Sequence, residues 1–122
     1  MKLGFIGRTV FVGLLATGFL TLSGFAPAAD GPRKIDITAK KFGYEPAEIT
    51  VKKGEPVVLE LTSEDVTHGL KFKDMNLNAK IEKKKTTELA FTPAKAGDFV
   101  GHCSVFCGGG HGRMALTIHV TE

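Results

Sequence analysis

Apolar residues return at every second position along much of the chain: Ile35 and Ile37, Ile49 and Val51, Val57, Leu59 and Leu61, Leu89 and Phe91, then Met114, Leu116 and Ile118. A period of two puts alternate side chains on one face, so each run predicts a strand with one wet side. The breaks at KKGEP and TSEDVTHG suit solvated turns, as do the three lysines at 83 to 85 between an Ile81-containing strand and TTELAF. Pro46 and Pro56 do not fit a helix interior and are placed at strand edges or starts. No long apolar face repeats every 3.6 residues. The pattern predicts about seven short strands in an all-β domain, an antiparallel sandwich or Greek-key barrel. Its expected core is Phe42, Tyr44, Ile49, Val51, Val57, Leu59, Leu61, Phe72, Leu89, Phe91, Phe99, Leu116 and Ile118.

The first 28 residues read differently. A short basic start is followed by an apolar stretch and then by small residues around Ala26, Pro27 and Ala28, the grammar of an export signal cleaved after Ala28. Residues 9 to 29 carry no charge and have the length of a membrane span, so an uncleaved anchor is the competing reading. Either outcome puts the domain at 29–122 in the periplasm or another extracytoplasmic space. Its only expected membrane contact is through that anchor or a membrane-bound partner.

Composition narrows the function classes. The formal charge is +3, and setting aside Lys2 and Arg8 of the export segment leaves the rest within about one charge of neutrality. That is no footprint for nucleic acid. There are two cysteines, four positions apart, and a bridge between them would close too small a loop to staple a scaffold.

The chemistry concentrates in HCSVFCGGGHGRM, where Cys103, Cys107, His111 and Met114 follow the order C-x3-C-x3-H-x2-M just before the last strand. Glycines 108 to 110 let the backbone turn so that the flanking side chains converge. His68, at the end of another strand-like run in DVTHG, is a fifth candidate. Thiolate, imidazole and thioether together suit copper, because soft sulfur favours Cu(I) while imidazole accepts Cu(II). A zinc shell of His68, Cys103, Cys107 and His111 is the rival, and it leaves Met114 without a role. A redox dithiol favours two intervening residues and a helix start. A small disulfide loop, with Met114 in the core and His111 on the surface, is the structural alternative.

Within the copper reading, His68, Cys107, His111 and Met114 suffice for a mononuclear blue site, and Cys103 is then surplus. Two ions bridged by both thiolates would use Cys103, each ion taking one imidazole.

TSEDVTHG with CSVFCGGGHGRM resembles the copper-A domain of cytochrome c oxidase subunit II and of nitrous oxide reductase, built on the cupredoxin fold. The resemblance implies that Cys103 and Cys107 are bridging thiolates, His68 and His111 terminal imidazoles, Met114 a weak thioether, and Val105 the donor of a backbone carbonyl. It implies a two-copper centre that exchanges single electrons between a cytochrome-type donor and a respiratory acceptor, with no catalytic site of its own. Three departures accompany it: Val105 stands where the family usually carries glutamate, the usual two-helix anchor is reduced to one export segment, and there is no tryptophan. The alternative roles are a copper carrier or metallochaperone for assembly of a respiratory enzyme, a mononuclear blue-copper protein, and a detached oxidase subunit. Phe72 and Phe106 are expected to form a dry shell or ordinary packing. Asp65 is expected to cap its loop or steer a donor, and His102 and His119 to lie outside the metal shell.

Overall fold

The computed structural model describes residues 31–122 and the isolated Gly13. The expectations about export, cleavage after Ala28 and anchoring fall on residues outside that set. Among the described residues nine strands run in chain order: β1 Arg33–Lys40, β2 Gly43–Glu45, β3 Glu48–Lys52, β4 Val57–Ser63, β5 His68–Phe72, β6 Leu77–Ile81, β7 Thr87–Phe91, β8 Gly97–His102 and β9 Ala115–Thr121. A single 3-10 turn, His111–Arg113, precedes β9. Among the described residues no helix is long and apolar enough to cross a membrane.

The strands form two sheets, one in the order β2-β1-β4-β7 and the other β3-β9-β8-β5-β6. The sandwich is not purely antiparallel as the pattern predicted. Strand β1 runs parallel to β4, from Arg33 opposite Val57 to Ala39 opposite Ser63, and β3 runs parallel to β9. Alternation dictates which face a side chain takes. It does not dictate which distant strand becomes the neighbour or in which direction.

Both sheets turn their apolar positions inward. Ile37 of β1, Leu59 and Leu61 of β4, Leu70 of β5, Ile81 of β6 and Leu116 and Ile118 of β9 are fully buried. Each such burial contributes about 2 kcal/mol from the apolar area removed from water. Phe42, Leu89, Phe91 and Phe99, expected in the core, pack against it and are only partly buried. Gly101 in β8 makes room for Phe72: a Cβ there would lie 2.6 Å from the phenyl ring. The β5–β6 turn closes with the Asn76 amide donating to the Lys73 carbonyl at 3.2 Å. Asn76 takes a left-handed φ of 52°, which asparagine tolerates.

The β4–β5 loop, the long β8–β9 connection and the β1–β2 turn meet at one end of the sandwich. The Lys41 amide donates to Asp65 Oδ2 at 2.8 Å, and the Phe42 ring packs against Gly108 and Gly110. A Cβ at Gly110 would fall 2.3 Å from that ring, so this glycine is what lets the aromatic turn lie under the cysteine loop.

Candidate metal centre

His68 opens β5 rather than closing the preceding run, and its side chain is completely buried. Nε2 lies 2.6 Å from Asp65 Oδ1, three residues back in the loop. The same carboxylate accepts the amides of Val66 at 2.6 Å and Lys41 at 2.8 Å, so it is itself fixed. Partial burial raises the Asp65 pKa, but the bonds from His68, Lys41 and Val66 outweigh that and hold it down at about 2. An ionised acceptor at Nε2 keeps the proton on that nitrogen. Nδ1 therefore carries the free lone pair, and it is buried with no hydrogen-bond partner. A buried imidazole nitrogen left unpaired is costly unless something binds it.

The two cysteines supply the surroundings of that nitrogen. Both are free and buried, with their sulfurs 3.7 Å apart. One ligand atom each from His68, Cys103 and Cys107 falls within 4.8 Å of the others. Cys107 Sγ is 3.8 Å from Met114 Sδ and 3.9 Å from His111 Nδ1. Cys103 Sγ is 3.0 Å from the Val105 carbonyl and accepts the Gly69 amide at 3.4 Å. All six groups picked out in the sequence, His68, Cys103, Val105, Cys107, His111 and Met114, thus converge on one small volume. Met114 is fully buried and belongs both to this cluster and to the core.

Burial and the neighbouring Cys103 sulfur push the Cys107 thiol up to about 11. Burial, and then Cys103, raise the Tyr44 phenol, whose hydroxyl donates to the Gly69 carbonyl from below. A thiol held neutral by burial, as Cys107 is, becomes a thiolate when a cation compensates the charge. The donor set is two soft sulfurs, a thioether, one imidazole with a free nitrogen and a second close by, which fits copper. The redox-dithiol reading lacks its structural context, since the cysteines flank no helix start.

Three further expectations meet the geometry. His102 is exposed at the end of β8, and His119 is tied to Asp98 at 2.6 Å and Glu48 at 3.4 Å, so neither joins the cluster. Phe72 is buried, as expected. Phe106 is 79% exposed with its ring 5.7 Å from that of His111, so it is surface rather than dry shell. Sequence reasoning left Asp65 as a loop or steering residue and missed its bond to His68, although the i, i+3 spacing of a carboxylate and an imidazole in one loop was a usable signal. The Tyr44 bond to Gly69 spans 25 positions and had no local signal.

Comparison with known proteins gives the family. The cupredoxin-like domain family matches residues 13–115. Cytochrome c oxidase subunit 2 of Thermus thermophilus is 33% identical over 94 residues, covering 75% of this chain and 70% of that protein. Nitrous-oxide reductase of Cupriavidus necator is 32% identical over 84 residues, 66% of this chain but 13% of that enzyme. The periplasmic domain of cytochrome oxidase subunit II from Bradyrhizobium japonicum superposes with a TM-score of 0.69 at 23% identity, covering 79% of this chain and 87% of that one, a likeness of fold. The chain therefore belongs to the cupredoxin-like domain family, as a relative of cytochrome c oxidase subunit 2 and of the corresponding part of nitrous-oxide reductase.

Proposed function

We propose that the chain is an extracytoplasmic electron-transfer domain of the copper-A type, holding two copper ions. The observation that carries this reading is the unpartnered, buried Nδ1 of His68 beside two free thiols 3.7 Å apart. Cys103 and Cys107 would be shared between the ions, with His68 and His111 as imidazole ligands, Met114 as thioether and Val105 as carbonyl donor. Bound copper would supply a one-electron couple, with the change of charge spread over both ions.

The chain's own groups prepare that site. Asp65 holds the His68 ring by Nε2, which leaves Nδ1 free to bind a metal in the cluster with the two cysteines. The Gly69 amide points at Cys103 Sγ and stabilises negative charge there. Burial of His68, Cys103, Cys107 and Met114 excludes water, and the paired strands β8 and β9 of one sheet anchor both ends of the ligand loop. A ligand frame held this way changes little when charge changes. The relationship to cytochrome c oxidase subunit 2 supports a cytochrome-type donor and a respiratory acceptor. The export-like N-terminal segment and the periplasmic origin of the B. japonicum domain support a periplasmic location.

Copper loading of the full chain tests the reading. Metal analysis should give two coppers per chain, and electron paramagnetic resonance should show one unpaired electron shared by both. One copper with a mononuclear spectrum would replace this proposal with the blue-copper reading.

A further inference from the structure

Beside the cluster, on the outer face of the five-stranded sheet, lies a shallow cleft of about 300 Å³ lined by Lys71, Lys73, Val100, His102, Cys103 and Ser104. We propose that this cleft docks a redox protein that presents a carboxylate-rich rim around an apolar spot. The proposal rests on the electron-transfer reading for what the partner does, and on the surface itself for what the partner looks like.

Val100 is 48% exposed, in a sheet position where alternation should place a polar side chain. It sits on β8, the middle strand of its sheet, so the apolar spot lies centrally and not at a frayed edge. Lys71 faces His102 across the β5–β8 pair. Among the described residues neither Lys71 nor Lys73 enters an ion pair, whereas Asp98 and Glu48 of the same sheet are engaged with His119, and Glu82, just past β6, with Lys80 and Lys85. Asp74, next to Lys73, lines a separate cavity with Phe91 and Phe99. The rim is therefore cationic although the chain beyond residue 28 is within about one charge of neutrality, and local charge of this kind sets orientation and encounter rate. An apolar centre inside a charged rim is the anatomy of a protein interface.

The floor of the cleft gives the surface its use. Cys103 lines it although the residue is only 6% exposed, and its sulfur is part of the cluster. The Ser104 hydroxyl, hydrogen-bonded to Asn78 Oδ1 at 3.0 Å, ties the neighbouring loop to β6, so the surface is preformed. A partner seated here rests against the strand end that carries a cluster sulfur.

Reduced plastocyanin, a carboxylate-rich cupredoxin, is a suitable probe, with mitochondrial-type cytochrome c as the basic control. Titrated into the metal-free, nitrogen-15-labelled full chain, plastocyanin should shift the amides of residues 71–73 and 100–104 at low ionic strength. About 0.3 M salt should abolish the shifts. A Lys71→Glu/Lys73→Glu chain should keep the other amide positions and bind about tenfold more weakly. Shifts centred on Phe106 and His111, equal binding by the variant, salt-independent binding, or preference for cytochrome c would overturn the proposal. With the copper-loaded chain first reduced, electron transfer from it to oxidised plastocyanin should slow by a similar factor in the variant at unchanged copper content and spectrum. Failure to take up copper or exchange electrons would count against the electron-transfer reading alone, because the amide mapping decides the surface without metal.

Discussion

Cys103 is the residue that separates a two-copper centre from a single blue site. Replacing it with serine should abolish the shared-electron spectrum and leave at most one copper, held by His68, Cys107, His111 and Met114; persistence of the two-copper spectrum would reject its assignment. Asp65 acts one bond further out. Its carboxylate, ionised in the folded chain down to about 2 against an ordinary value near 4, contributes stability that is present above the unfolded value and lost as pH falls through the folded one. Allowing for solvent screening of a partly exposed group, that is about 1 kcal/mol. In the metal-free chain, Asp65→Asn should lower the melting temperature at neutral pH and lose its effect near pH 2, as followed by circular dichroism. The residue types of this site were legible in the sequence because sulfur and imidazole advertise their chemistry. The hydrogen bond that leaves Nδ1 of His68 free was not, because spacing alone does not determine which atom a ring presents.

At the scale of elements, β5 positions the cysteine loop through its second residue. A Cβ at Gly69 would meet the Ser104 hydroxyl at 2.1 Å and, less forgivingly, the backbone nitrogens of Val105 and Ser104 at 3.0 and 3.1 Å. Gly69→Ala should cost about 1 to 3 kcal/mol in thermal unfolding and weaken copper uptake in a competition titration, because the ligand loop has to move. At the other side of the same sheet, His119 joins β9 to β8 through Asp98 and to β3 through Glu48. The bond to Asp98, then the pair with Glu48, raise its pKa above the ordinary histidine value. Its contribution is therefore full below the unfolded value near 6.5 and lost as pH rises through the native one. His119→Ala should lower the melting temperature at about pH 5.5 and leave it nearly unchanged at about pH 9. Strand positions were readable from alternation. The parallel pairings of β1 with β4 and β3 with β9 were not, because they join segments separated by other strands.

The described residues form one sandwich whose ligand end is completed by what it binds. Copper bound a thousandfold above its dissociation constant adds about 4 kcal/mol, so chelating it should lower the melting temperature by about 15 °C or more in calorimetry. The Cys107 thiol, held protonated by burial, should release its proton as copper enters, which a pH-indicator titration measures. An unchanged melting temperature would mean that the cluster is not a tight metal site. The alternation of apolar residues and the run of soft ligands before the last strand determined the all-β class and four candidate positions, Cys103, Cys107, His111 and Met114, because both are properties of neighbours along the chain; His68 came from a separate segment and Val105 from the family resemblance alone. Only the tertiary structure decided that Tyr44 supports Gly69, that Phe106 faces solvent, and that Lys71, Lys73 and Val100 surround Cys103. Those facts depend on residues brought together from distant strands by sheet order and register, which no local pattern contains.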